Sequence, residues 1–160
     1  MVKAYKADGV SRLGTARVDA GGHYEVSLGD YIGVVIVRAS NQGTAADHLD
    51  EASNSAQDLG ITLLAMGFAG AGNTIININP LTSLAALKAG IQAAELTTDG
   101  ILNADDVARV NAAVGEVFGV RDLTGTTPVT TVAAGGGANP AYQPEDGLSN
   151  CLLYTSPSPR

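Results

Sequence analysis

Tryptophan is missing, cysteine occurs once, histidine occurs twice and aromatic residues make up only 4% of the 160 positions. Each scarcity removes a class of function. With so few large rings, the broad aromatic platforms that stack sugars or bases are not expected. Two histidines, His23 and His48, leave little material for imidazole catalysis or a histidine-rich metal centre. Positive charge is scarce as well: Lys and Arg total 9 against 16 Asp and Glu, the net charge is −7, and the basic residues stand singly. A phosphate-tracking surface is therefore excluded, and no nucleic-acid partner is expected. The longest apolar run, 61–72 interrupted by Thr62, is about half of the roughly 20 residues that cross a bilayer, so no membrane span is expected. Met1-Val2-Lys3-Ala4-Tyr5 lacks the basic stretch and apolar run of a secretion signal.

What the chain has instead is Gly, Ala and β-branched aliphatics. Val2 to Lys6 reads as a strand leading into Asp8-Gly9, a dipeptide suited to a tight reversal because Gly accepts positive φ. Residues 12–18 read as a second strand and 19–22 as a turn. His23-Tyr24-Glu25-Val26-Ser27-Leu28 then alternates cleanly, with Tyr24, Val26 and Leu28 on one face. The run 31–37 is too apolar for an edge and belongs at the centre of a sheet. Residues 41–60 are polar, with one or two helical turns expected over 45–52. Residues 61–68 and 74–78 complete a six-strand set, which favours an antiparallel sandwich.

After Asn79 the apolar period lengthens to about 3.6 residues. Asn79-Pro80 is a helix start, Asn as the cap and Pro at the first position, and Leu81, Leu84, Leu87 and Ile91 form its expected apolar stripe, with Ala85 beside them. Asn103 caps a second helix with Asp105 and Asp106 at its positive end, and Val107, Val110, Val114, Val117 and Phe118 form its stripe. Gly119 ends it. The expected architecture is mostly β with α: an antiparallel β-sandwich over 1–78, lacking its first strand if the natural chain begins earlier, then a helical hairpin over 79–120. A Gly/Thr/Pro-rich linker follows over 121–150, poorly ordered from about 133, where Pro128 demotes the run 126–132 to an edge strand or linker.

Cys151-Leu152-Leu153-Tyr154-Thr155-Ser156-Pro157-Ser158-Pro159-Arg160 breaks with this composition and resembles a translated sequencing-library adapter. The last ten residues are accordingly read as a non-native tail. The only Cys falls in it, so no disulfide is expected in 1–150.

Candidate chemistry is thin. Asp47-His48-Leu49-Asp50-Glu51 is the densest acidic cluster, but it matches no EF-hand or zinc spacing, and a solvated turn explains it. Asp105-Asp106 are better read as helix-end charges than as a catalytic pair, because neighbours on a helix point about 100° apart. The stretch 67–72 carries three glycines but lacks a Gly-Lys-Ser/Thr ending and re-enters a strand instead of a helix, so no phosphate loop is expected. No Gly-x-Ser-x-Gly elbow occurs. No catalytic, cofactor-binding or metal-binding residue is assigned.

Val18-Asp19-Ala20-Gly21-Gly22-His23-Tyr24-Glu25-Val26 resembles the strand-turn-strand signature of carboxypeptidase-regulatory-like and bacterial Ig-like modules, with Gly21 where that turn usually has an acidic or amide residue. Asn79-Pro80-Leu81-Thr82-Ser83-Leu84-Ala85, then Asn111-Ala112-Ala113-Val114 with Phe118-Gly119, then Pro128-Val129-Thr130, is similar to segments of very large bacterial surface or calcium-repeat-containing secreted proteins. The resemblance implies an Ig-like or transthyretin-like sandwich in a large extracellular or cell-surface protein. Its implied role is structural or adhesive and not enzymatic, spacing or presenting neighbouring domains and contacting surface glycans or proteins. Two alternatives are an accessory domain of a secreted hydrolase and a binding module rigidified by calcium at Asp47, Asp50 and Glu51 or at the loops of the sandwich.

Overall fold

The computed structural model describes residues 1–19, 22–41, 43, 48–50, 55–58, 60–92 and 102–126. Its elements are β1 (Val2–Lys6), β2 (Arg12–Ala16), β3 (Gly33–Ala39), β4 (His48–Asp50), β5 (Ser55–Gln57), β6 (Leu63–Ala69), α1 (Pro80–Lys88) and α2 (Ala104–Phe118). The fold is thus mixed α and β: a four-stranded antiparallel sheet in the order β2-β1-β3-β6, a separate β4-β5 pair, and two helices.

The first reversal forms where Asp8-Gly9 places it. Gly9 takes φ 68° and donates to the Lys6 carbonyl at 3.0 Å, while the Asp8 carboxylate accepts from the amides of Val10 and Ser11 at 2.9 and 2.8 Å. Hydrogen bonds from Ser11 and Val10 hold that carboxyl below its usual pKa. The helical turns expected over 45–52 are overturned within the described part of that stretch, since His48–Asp50 pairs with Ser55–Gln57. Cross-strand pairing satisfies backbone groups that one isolated helical turn leaves open at both ends.

Because strand side chains alternate, the central strand β3 feeds two cores. Val34 and Ile36 join Leu64, Met66, Leu81, Ala85, Ile91, Val107, Val110 and Val114 on the helix side, and Val35 and Val37 join Val2, Ala4 and Ala69 on the other. That second face is covered by Tyr24, Val26, Leu28, Ile76 and Ile78. The 23–28 stretch keeps its in-out alternation, yet neither it nor 74–78 forms a ladder. The two are tied to each other by the Tyr24 hydroxyl, which donates to the Ile76 carbonyl. Their close approach needs glycine beneath them. A Cβ on Gly14 would lie 2.7 Å from a Val26 methyl and 2.8 Å from the Ser27 carbonyl oxygen, and one on Gly67 would lie 2.7 Å from Ile76 Cδ1.

Both helices start where the caps place them. The Asn79 side chain accepts from the Thr82 amide and the Thr82 hydroxyl from the Asn79 amide, each at 2.9 Å, a reciprocal capping box. The Asn103 side chain accepts from the Asp106 amide at 2.9 Å. The stripes differ from expectation. On α1 the buried residues are Leu81, Thr82, Ala85 and Ala86, while Leu84 and Leu87 are 43% and 54% exposed. On α2, Val107, Val110 and Val114 are buried and Val117 is 78% exposed. At about 100° per residue, Val117 falls roughly 80° off the line through Val107. The connection 93–101, the run 127–150 and the tail 151–160 lie outside the described residues. Just after α2, Leu123 is buried, and the Thr124 carbonyl accepts from the Asn77 amide at 2.7 Å.

Candidate functional site

The polar residues singled out in the sequence do not converge among the described residues. His23 is exposed in a turn, its amide donating to the Asp19 carboxylate at 2.9 Å and its ring Nδ1 3.5 Å from the same oxygen. This pair closes the turn and faces solvent. His48 and Asp50 lie on β4, and Asp47 and Glu51 fall outside the described residues. Asp105 and Asp106 occupy the first turn of α2, where Asp106 pairs with Arg109 at 2.9 Å. The stretch 67–72 begins in β6, with Gly67 serving the approach of Ile76, and no helix follows it directly. Among the described residues no three His, Cys, Asp or Glu side chains gather as a metal-ligand group, and no helix is long and apolar enough to cross a membrane.

A concavity with mixed chemistry was not foreseen. A cleft of about 280 Å³ opens between the outer edge of β6 and α2, and the chain after α2 forms its far wall; Phe68, Val107, Asn111, Arg121 and Thr124 contribute to the lining. Next to it, the edge of β6 is finished by side chains. The Leu64 amide donates to the Ser83 hydroxyl at 2.9 Å, and the Leu64 carbonyl accepts from the hydroxyls of Thr82 and Ser83 at 2.9 and 3.1 Å. The Met66 carbonyl accepts from Asn111 Nδ2 at 3.1 Å. Three side chains of the two helices thus take the place that a neighbouring strand would fill, which protects an edge otherwise open to pairing with another chain.

The carbonyl oxygen of the Asn111 side chain is buried and has no hydrogen-bond partner. Two further buried nitrogens, Arg38 Nε and Asn79 Nδ2, also lack partners, and neither residue lines the cleft. A signal for this site was present in the sequence: Asn111 stands four residues after Val107 and three before Val114, on the apolar stripe of α2. A polar residue at such a position requires a buried partner. Nothing in the spacing says that the partner is a strand carbonyl 45 residues earlier.

The remaining polar environment is structural. Burial pushes the Tyr24 phenol up to about 12, consistent with a neutral donor whose bond to Ile76 joins the two covering segments. Lys6 lies over the Tyr31 ring, 5.5 Å from its centre, and the Tyr31 hydroxyl donates to the Val34 carbonyl at 2.9 Å. Chemically the cleft offers one unpartnered acceptor and a mixed lining, in which Arg121 and Asp122 stand beside apolar residues and the Thr124 hydroxyl donates to the Asp122 carboxylate at 3.2 Å. No protein-family model, curated protein or solved structure matches the chain.

Proposed function

We propose that the chain is a non-catalytic structural or adhesive module of a large extracellular bacterial protein, spacing or presenting the domains beside it. In this reading the fold is a sandwich in which 23–28 and 74–78 supply the second layer, and the helices form a hairpin on the outer face of the first. The observation that carries the proposal is how the buried polar groups are used. Asn79 and Thr82, the buried polar residues of the described core, are committed to a helix cap and to the edge of β6. Asp8, Asp19 and Asp105 sit outside, in turns and at a helix end, where they shape the chain and keep the surface acidic. The resemblance around Val18 to Val26 supports the extracellular placement.

The test is a hydrolysis panel of glycans and peptides with the full chain at high protein concentration. No turnover above the uncatalysed rate is expected on any substrate. Turnover that co-purifies with the folded chain overturns the proposal.

A further inference from the structure

The basic residues stand singly in the sequence, and the register of the sheet brings three of them together. Thr15, Lys3, Arg38 and Leu64 are successive cross-strand partners on β2, β1, β3 and β6, and Arg12, Tyr5, Ile36 and Met66 form the row two residues along. Directly paired residues share a face. Ile36, Leu64 and Met66 belong to the helix-side core, so both rows lie on that face. α1 packs on β6, and α2 on β6 and β3; among the described elements, no helix is laid over the β1–β2 half. There Arg12 and Thr15 are exposed, and Lys3, Tyr5 and Arg38 are half-buried.

Lys3 and Arg38 are like charges directly opposite each other, an arrangement that costs stability. The ion pairs among the described residues, His23 with Asp19 and Arg109 with Asp106, include none of Lys3, Arg12 and Arg38. Asp8, the acid of the adjoining turn, is bonded to the amides of Val10 and Ser11. Arg38 Nε is buried without a hydrogen-bond partner, so the guanidinium is shielded from water on one side and answered by no carboxylate. An anion bound between the two side chains would relieve both faults at once. We propose that Lys3 and Arg38 hold a carboxylate of an acidic polysaccharide, with Arg12 on a further carboxylate of the same polymer and the Thr15 hydroxyl on its sugar hydroxyls. The inference rests on the adhesive reading above and names its partner. A protein partner draws on an apolar centre with aromatic anchors, and a nucleic acid on rings that stack its bases; this face has one ring, the half-buried Tyr5. Cations interleaved with a hydroxyl instead match a polymer that carries carboxylates among hydroxyls.

Nuclear magnetic resonance titration of the full chain with tetragalacturonate tests this. Saturable amide shifts are expected at Lys3, Thr15 and Arg38. Lys3→Gln and Arg38→Gln are each expected to weaken binding by on the order of tenfold, the loss of one charge-assisted hydrogen bond. Lys6→Gln removes an equal charge from the opposite face of β1, the side of Val2 and Ala4, and is expected to leave the affinity unchanged. Where Arg38→Gln does not fold, Arg12→Gln at its exposed position carries the test, with an expected loss of about threefold. Poly-L-glutamate and a single-stranded oligonucleotide are expected to bind more weakly than tetragalacturonate. No shifts with tetragalacturonate, equal affinities in Lys3→Gln and Lys6→Gln, or tighter binding of the polypeptide or the oligonucleotide, which would make the partner an acidic peptide or a nucleic acid, overturns the proposal. The non-catalytic reading stands or falls separately, on the hydrolysis panel.

Discussion

Thr82 shows how much one side chain can hold. It has no solvent exposure; its oxygen accepts from the Asn79 amide and lies 2.9 Å from both the Leu64 and Asn79 carbonyls. Thr82→Val keeps the shape and deletes the hydroxyl, leaving the Asn79 amide buried without an acceptor. A loss of roughly 2–3 kcal/mol is expected from that unsatisfied donor, measured as a lower denaturant midpoint at unchanged slope. Thr82→Ser, which keeps the hydroxyl, is expected to cost only about 1 kcal/mol for the lost methyl. Equal losses for the two would show that packing, and not the hydrogen bonds, sets the role of this residue.

Tyr24 carries a pH-dependent contribution whose sign follows from its environment. Its folded pKa of about 12 lies above the ordinary value of 10, so the native state favours the neutral phenol. That stabilisation is fully present below pH 10 and is lost as pH rises from there through about 12. In a phenolate absorbance titration, one of the 5 tyrosines is expected to ionise after the others. Tyr24→Phe should remove this late step and leave the rest of the curve in place. A curve in which every tyrosine ionises together near pH 10 would contradict the buried donor.

At the scale of elements, α2 is finished by a backbone motif that depends on two glycines. Gly119 sits at φ 70°, its amide donating to the Glu116 carbonyl at 3.4 Å, while the Val120 amide reaches the Gly115 carbonyl at 2.8 Å, the paired bonds of a Schellman motif. A Cβ on Gly115 would lie 2.3 Å from the Val120 carbonyl oxygen. Gly115→Ala is therefore expected to displace the buried Val120 and cost about 2–3 kcal/mol. Thermal unfolding reads this loss. A variant as stable as the parent would mean that the chain after α2 is free to move.

The ends of these helices were legible because a cap is a local event: Asn79-Pro80, Asn103 and Gly119 act within a few residues of themselves. Their buried faces were only partly legible. Leucine spacing pointed to Leu84 and Leu87, yet α1 turns small residues and a hydroxyl toward β6, because Thr82, Ser83 and the adjacent alanines bring the helix close enough to bond the strand edge. The strands β1 and β2 followed from the turn residues that bound them, and β3 and β6 from continuous apolar runs. The segment 23–28 alternates without a ladder, since a side-chain period reports which face is buried and says nothing of who accepts the amides. The cleft depended on Asn111 meeting Met66, a contact across 45 residues, and was invisible to any local pattern.

At the scale of the whole molecule, the central observation is that both faces of one four-stranded sheet are covered by other parts of the same chain, helices on one side and the 23–28 and 74–78 segments on the other. β3 contributes to both cores, so neither layer can leave without exposing the aliphatic side chains of the strand they share. Such coupling suits a module that keeps its neighbours at a fixed spacing, because a body that opens in pieces does not hold a distance. Differential scanning calorimetry of the full chain tests this most directly. One transition is expected, with equal calorimetric and van't Hoff enthalpies. Two resolved transitions, with the helices leaving the sheet before it melts, would contradict the account.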